Sequence, residues 1–191
     1  MTRRGLLRDL ASLTLLTTLA ACSGGGGGGS PTEPPPPVTP AVAFTATGGS
    51  AANSITIAQG AGTSGTTLEL EVRANSVQDL YGVAFDLEYP SNLLRFESST
   101  NPSGFLGSDG TPVSFVSSLS RDGLLVVGYT RLGQVSGANG SGLLARIRFT
   151  AIATGSGTIR FSRNSAYSSQ GAVMANVTWA GGTVQVNRLT P

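Results

Sequence analysis

The chain contains no histidine and one cysteine, and only 12% of its 191 residues are charged, against a usual share of about 25%. Each shortage removes a class of chemistry. Without histidine there is no Ser-His-Asp triad and no histidine-ligated metal. All twelve basic residues are arginine, so Schiff-base and P-loop lysines are absent too. One cysteine can form neither an internal disulfide nor the multi-thiolate site of structural zinc. No catalytic residue, metal or cofactor is expected. No apolar run approaches the roughly 20 residues a membrane-spanning helix needs.

The net charge of +2 suggests nucleic acid only until the charges are placed. Residues 1–21 carry Arg3, Arg4, Arg8 and Asp9, which leaves nine arginines against nine acids from residue 22 onward. Binding to a phosphate backbone needs clustered cations, and this balanced remainder has none, so nucleic acid is not expected as a partner.

What is present begins with a basic segment, a short apolar stretch at 10–19 and Leu19-Ala20-Ala21-Cys22. This is the layout of a cleaved signal peptide over residues 1–21. The last four residues resemble the lipobox of bacterial lipoproteins, which implies lipidation of Cys22 and attachment to the membrane through that lipid. Two or three acyl chains anchor stably where one does not. Arg3-Arg4 is similar to a twin-arginine export motif, although an ordinary secretory n-region can carry the same residues. Ser23 stands where an Asp tends to retain lipoproteins at the inner membrane. The resemblance therefore implies a cell-envelope location, at the outer membrane or cell surface rather than the inner membrane.

Residues 22–41 hold six consecutive glycines at 24–29 and four consecutive prolines at 34–37. This low-complexity composition cannot bury a core. Residues 31–40 should form a stiff polyproline spacer, about 3.1 Å per residue and roughly 30 Å long. The remaining 42–188 make one domain, large enough to bury a core without disulfides.

That domain shows no helical period. Short alternating or apolar runs separated by Gly, Asn, Asp and Ser predict strands at 54–58, 67–74, 82–89, 93–97, 113–117, 124–132, 143–153, 158–162, 173–179 and 183–186. Asp122-Gly123 reads as a hairpin turn, and Gly155-Ser156-Gly157 and Gly181-Gly182 as further turns. Such a pattern argues for an all-β sandwich. Alternation sends Leu68, Leu70 and Val72 inward and Glu69, Glu71 and Arg73 outward. By the same rule Val83, Phe85, Leu87 and Tyr89 face the core, with Ala84, Asp86 and Glu88 on the solvent side. Ala145, Ile147, Phe149 and Ala151 go in, Arg146 and Arg148 out. The run 124–129, apolar on both faces, predicts a central strand.

The order of features resembles the cohesin domain family over about residues 53–187. It is carried by Gly65-Thr-Thr-Leu-Glu-Leu-Glu-Val, by the segment from Asp79 through Tyr89-Pro90 to Phe96, by Gly140-Ser-Gly-Leu-Leu-Ala-Arg-Ile-Arg-Phe and by Gly182-Thr-Val-Gln-Val. The resemblance implies a nine-stranded jelly-roll sandwich, noncatalytic, that docks a protein such as the dockerin module of an enzyme. It places the ligand on the sheet carrying Ala84, Asp86 and Glu88, where Gly82 and Ala84 replace the polar contacts of dockerin-binding members. It also makes the second and seventh strands neighbours, so that Glu69 and Glu71 face Arg146 and Arg148 in a solvent-exposed, register-fixing ladder. Such cross-strand pairs contribute roughly 0.2–1 kcal/mol each.

Three other motifs have plainer readings. Gly60-Ala-Gly-Thr-Ser-Gly65 matches a dinucleotide fingerprint but precedes a strand rather than a helix, and so reads as a flexible loop. Asp86 and Glu88, about 6.5–7 Å apart along a strand, have the spacing of glycosidase carboxylates but no apolar pocket to raise one of them. Sugar binding requires exposed rings. Trp179, Tyr89 and Tyr129 have the parity of buried residues, which leaves Tyr81 and Tyr167 as candidate sugar-stacking aromatics. A protein partner, dockerin-like or other, is therefore the first expectation, and a polysaccharide bound by a carbohydrate-binding module is the alternative.

Overall fold

A computed structural model describes residues 40–101 and 104–188; the expected signal peptide, Cys22 and the expected spacer up to residue 39 lie outside the described residues. The strands are β1 (Pro40–Ala46), β2 (Ser54–Gln59), β3 (Thr67–Glu88), β4 (Leu94–Thr100), β5 (Val113–Arg121), β6 (Leu124–Arg131), β7 (Ala138–Ala151), β8 (Gly155–Ser168), β9 (Thr178–Ala180) and β10 (Gly182–Arg188). One 3-10 turn, Phe105–Gly107, interrupts them. No helix among the described residues is long and apolar enough to cross a membrane.

The expected sandwich is present, with four departures from the expected strands. First, the described residues form ten strands rather than nine, because β1 forms within and beyond the end of the predicted spacer and pairs antiparallel with β10. Second, the runs at 67–74 and 82–89 belong to one 22-residue strand, β3. Asn75, Ser76 and Asp79 look like turn residues, and Ser76 and Asp79 do adopt positive φ (45° and 55°), but as irregularities inside the strand. They let β3 pass from one sheet to the other. Third, Gly155 and Gly157 pair with β10 instead of making a turn. Fourth, 173–179 is mostly loop, with only Thr178–Ala180 in a strand.

Residues 67–80 of β3 lie between β2 and β7 in the back sheet, ordered β4-β7-β3-β2-β9. Residues 82–88 lie between β6 and β8 in the front sheet, ordered β5-β6-β3-β8. The first residues of β8 pair onward to β10 and so to β1. β6 is therefore interior, as its sequence predicts, although its outward Val126 remains 39% exposed.

The core lies between the two inner faces, where Ile57, Leu70, Leu87, Leu125, Ile147 and Phe149 are fully buried. Each such side chain contributes about 1.5–3 kcal/mol relative to exposure. Phe161 packs edge-on against Phe85 and Trp179, with centroids 5.1 and 5.0 Å apart. Tyr89 and Tyr129 are buried as parity predicts, but Trp179 is only half-buried and Val173 is 61% exposed. The loop around Val173 breaks the alternation on which their burial was expected.

Candidate functional site

Strand register determines what the outer face of the front sheet offers. One row across β5, β6, β3 and β8 is Ser114, Thr130, Gly82, Tyr167; the next is Val116, Gly128, Ala84, Ser165. Gly82, Ala84 and Gly128 on the two middle strands thus leave a low floor between Val116 on β5 and Tyr167 on β8. The result is a trough of about 560 Å³ whose lining includes Tyr81, Tyr167, Val116, Ala84 and Gly128. The hydroxyl of Tyr81 donates to the carbonyl of Gly133, fixing the ring at the trough's end.

One row further along, Val126 stands beside Asp86. Asp86 was expected on the solvent side and does point outward, yet it is only 6% exposed. Arg163, at a positive φ of 44° in an irregularity of β8, folds over it, and its Nε donates to Oδ2 at 2.7 Å. Glu88 is half-buried, and Arg160 Nε donates to it at 2.7 Å. Hydrogen bonds from the Ser162 hydroxyl and from Arg160 hold the Glu88 carboxyl below the usual carboxylate range. Both acids at the edge of the face are thus internally matched. Ala84 is exposed, so of the three residues of the expected binding face it alone is open, and Asp86 and Glu88 are contact-ready only through their arginine partners.

Tyr81 and Tyr167, the candidate sugar-stacking rings, are both half-buried and line the trough; sequence reasoning misses Val116, Gly128 and Arg163. Gly128 left a signal: a glycine inside the run 124–131 departs from strand preference. Arg163 left none, because its role depends on a bulge.

The outer face of the back sheet carries a charge ladder. Glu69 pairs with Arg148 at 2.9 Å and Glu71 with Arg146 at 2.9 Å, as the neighbouring of these strands requires. The ladder is solvent-exposed only on its arginine side, however, since the Glu69 side chain keeps only 4% of its surface while Arg148 keeps 54%. The loop 60–65 lies on it, with the Gly62 N–H donating to Oε1 at 3.1 Å and Thr63 Oγ1 bonded to the Glu69 backbone. The glycine motif is therefore an ordered cap over a carboxylate, not a flexible loop. A Cβ at Gly60 or Gly62 would lie 2.7 Å from a Glu69 oxygen.

At the Tyr81 end of the sandwich Asp79 accepts from the Gly137 N–H at 2.8 Å and the Ser169 hydroxyl at 3.0 Å. The Ser169 and Gly137 hydrogen bonds hold its carboxyl low. Among the described residues no group of three or more His, Cys, Asp or Glu side chains could hold a metal ion.

A family model described as the cohesin domain matches residues 53–186. The chain belongs to the cohesin family. Cohesin domains are noncatalytic protein-docking modules, so the chain is a binding module and not an enzyme. The seventh ScaB type I cohesin of Pseudobacteroides cellulosolvens is similar to it with a TM-score of 0.54 and 16% identity, over 65% of this chain and 85% of that one. The sixth cohesin of Acetivibrio cellulolyticus scaffoldin B, solved with a Cel5 dockerin mutant, gives 0.52 and 18% over 72% and 96%. A type I cohesin–dockerin complex from Clostridium thermocellum gives 0.51 and 12% over 61% and 81%. At such identities these likenesses establish the shared fold. No curated protein matches the sequence.

Proposed function

We propose that this cohesin domain is a lipid-anchored docking module of the cell envelope, held by acylated Cys22 and presenting the outer face of its front sheet to a protein partner, dockerin-like or other. The observation that carries the docking face is the exposure of Val116 (62%) and Val126 (39%) on the outer sheet face, whose nearby charges are paired with each other. An apolar patch rimmed by satisfied polar groups is the usual anatomy of a protein interface. Solved cohesins of the same fold in complex with dockerins support a protein as the partner. The Gly- and Pro-rich residues 22–39, as an extended spacer, would give the domain reach beyond the lipid headgroups.

The test is site-specific photo-crosslinking on intact cells. A crosslinker at Val116 should capture one discrete partner, and the same group at Arg73 on the outer face of the back sheet should capture none. The reverse pattern would overturn the assignment of the face. The anchor is tested separately: Cys22→Ser should release the protein from the membrane fraction, and undiminished membrane binding would refute lipidation there.

Carbohydrate capture is the second reading, at outer membrane or cell surface alike, and the lining of the trough by both Tyr81 and Tyr167 favours it.

A further inference from the structure

Gly128 lies in the middle of β6, where glycine is less favourable than alanine by about 0.5–1 kcal/mol. Its backbone is outside the left-handed region, and a Cβ built there would meet no atom within 4 Å. Nothing in the fold requires the missing side chain. Gly82 differs, since a Cβ there would approach Thr130 Oγ1 to 3.0 Å. A strand glycine often marks a site where a ligand or another backbone approaches closely, and no atom of this chain comes within 4 Å of a Cβ built at Gly128.

The chemistry around that space is specific. None of the thirteen lining residues is Asp, Glu or Arg, and Asp86 and Arg163 one row away neutralise each other. A phosphate, sulfate or uronate entering the trough would lose hydration and find no counter-charge. A flexible charged peptide fares no better. A neutral ring with an apolar face and a hydroxyl rim loses nothing of this kind. Tyr81 and Tyr167 supply amphipathic rings, Val116 and Ala84 an apolar floor and wall, and Ser114 and Ser168 hydroxyls at the rim. The volume of 560 Å³ lies within the roughly 300–1,000 Å³ of small-ligand sites.

We propose that the trough bounded by Tyr81, Tyr167 and Val116 binds a stretch of uncharged oligosaccharide, with a sugar ring seated over Gly128. This rests on the carbohydrate reading and deepens it; the trough shares Val116 with the protein-docking face, so the two readings compete for one surface.

Titration calorimetry of the full chain with cellohexaose, xylohexaose, mannohexaose and maltohexaose tests it, with hexagalacturonate as the charged counterpart. At least one neutral hexasaccharide should bind and hexagalacturonate should not. Tyr167→Ala should weaken binding about ten-fold or more, the loss of a ring contact. Gly128→Phe should abolish binding with little change in melting temperature, and Gly128→Val fills the same space with a side chain that suits a strand. Absence of binding by all four neutral sugars at millimolar concentration would overturn the proposal. So would equal binding of hexagalacturonate, or sugar affinity unchanged in folded Gly128 variants. Crosslinking from Val116 to a protein while no sugar binds would leave the docking face standing and remove the sugar site.

Discussion

Glu69 and Arg148 meet across the β3–β7 ladder at 2.9 Å, the carboxylate almost wholly buried and the guanidinium 54% exposed. The burial comes from the β2–β3 loop, whose Gly62 N–H completes the shell of the carboxylate. Removing one member of a fully buried ion pair costs about 3–5 kcal/mol. Here the partner arginines reach solvent and can rehydrate, so Glu69→Ala should destabilise by about 2–3 kcal/mol. Gly62→Ala, which places a Cβ against the same oxygen, should cost about 1–3 kcal/mol through overpacking. Urea unfolding measures both, and an unchanged midpoint for Gly62→Ala would show that the loop does not pack on Glu69.

Neighbouring Glu71 supplies a pH dependence. Burial raises its carboxyl pKa, but hydrogen bonds and charge attraction from Arg146 and Arg73 outweigh burial and hold it below 4.5. A group depressed in the folded state contributes stability that is present above its unfolded value and lost as pH falls through the folded one. The melting temperature should therefore decline as pH drops below about 4.5. Glu71→Gln, which cannot titrate, should be less stable near neutrality and show a shallower acid decline. Parallel acid limbs for the two proteins would contradict the assignment.

The contrast between Glu69 and Arg73 shows how much of the molecule alternation discloses. Both are outward by parity and the structure agrees, yet one is buried and the other exposed. Parity gives direction, whereas depth depends on what lies above, and the β2–β3 loop above Glu69 could not be placed from spacing. The same holds for Asp86 beneath Arg163. Strand identity was legible where apolar residues alternate, as in β7, or run unbroken between turn residues, as in β6. It failed where Asn75, Ser76 and Asp79 imitate a turn inside β3, and in β1, whose proline and alanines carry little strand signal. The trough follows from small residues at Gly82, Ala84 and Gly128, each visible in the sequence. Their adjacency required the register of β3 against β6.

Arg131 is a buried cation, 4% exposed, that gathers the segment after β4. Its guanidinium donates to the carbonyl of Leu106 at 2.5 Å, to Asp109 at 2.6 Å and to the Thr111 hydroxyl at 2.8 Å. That hydrogen bond from Arg131 is also the main reason the Asp109 carboxyl lies far below its usual range. Arg131→Met keeps much of the stem but leaves the Leu106 carbonyl without its donor, an unmet group costing about 1–3 kcal/mol. Hydrogen exchange should accelerate in residues 105–111 well before it does in β7. Uniform acceleration across the domain would mean that Arg131 supports the whole sandwich rather than this segment.

The pairing of Asp86 with Arg163 and of Glu88 with Arg160 bears on how the front face associates. Steering by charge requires uncompensated potential, and here each carboxylate at the rim is within hydrogen-bonding distance of its own arginine. At separations beyond the Debye length, about 10 Å at 0.1 M salt, an approaching partner meets two near-neutral pairs and an uncharged trough. Crosslinking yield from Val116 should therefore change little, less than about two-fold, between ~0.05 and ~0.5 M salt. Arg163→Ala uncovers Asp86 and leaves a single negative charge beside Val126. That variant should acquire salt dependence, its yield lowest at low ionic strength for an acidic partner and highest for a basic one. Steep salt dependence of the unaltered protein would show that charges outside this face, such as Arg121 or Asp122, guide the encounter.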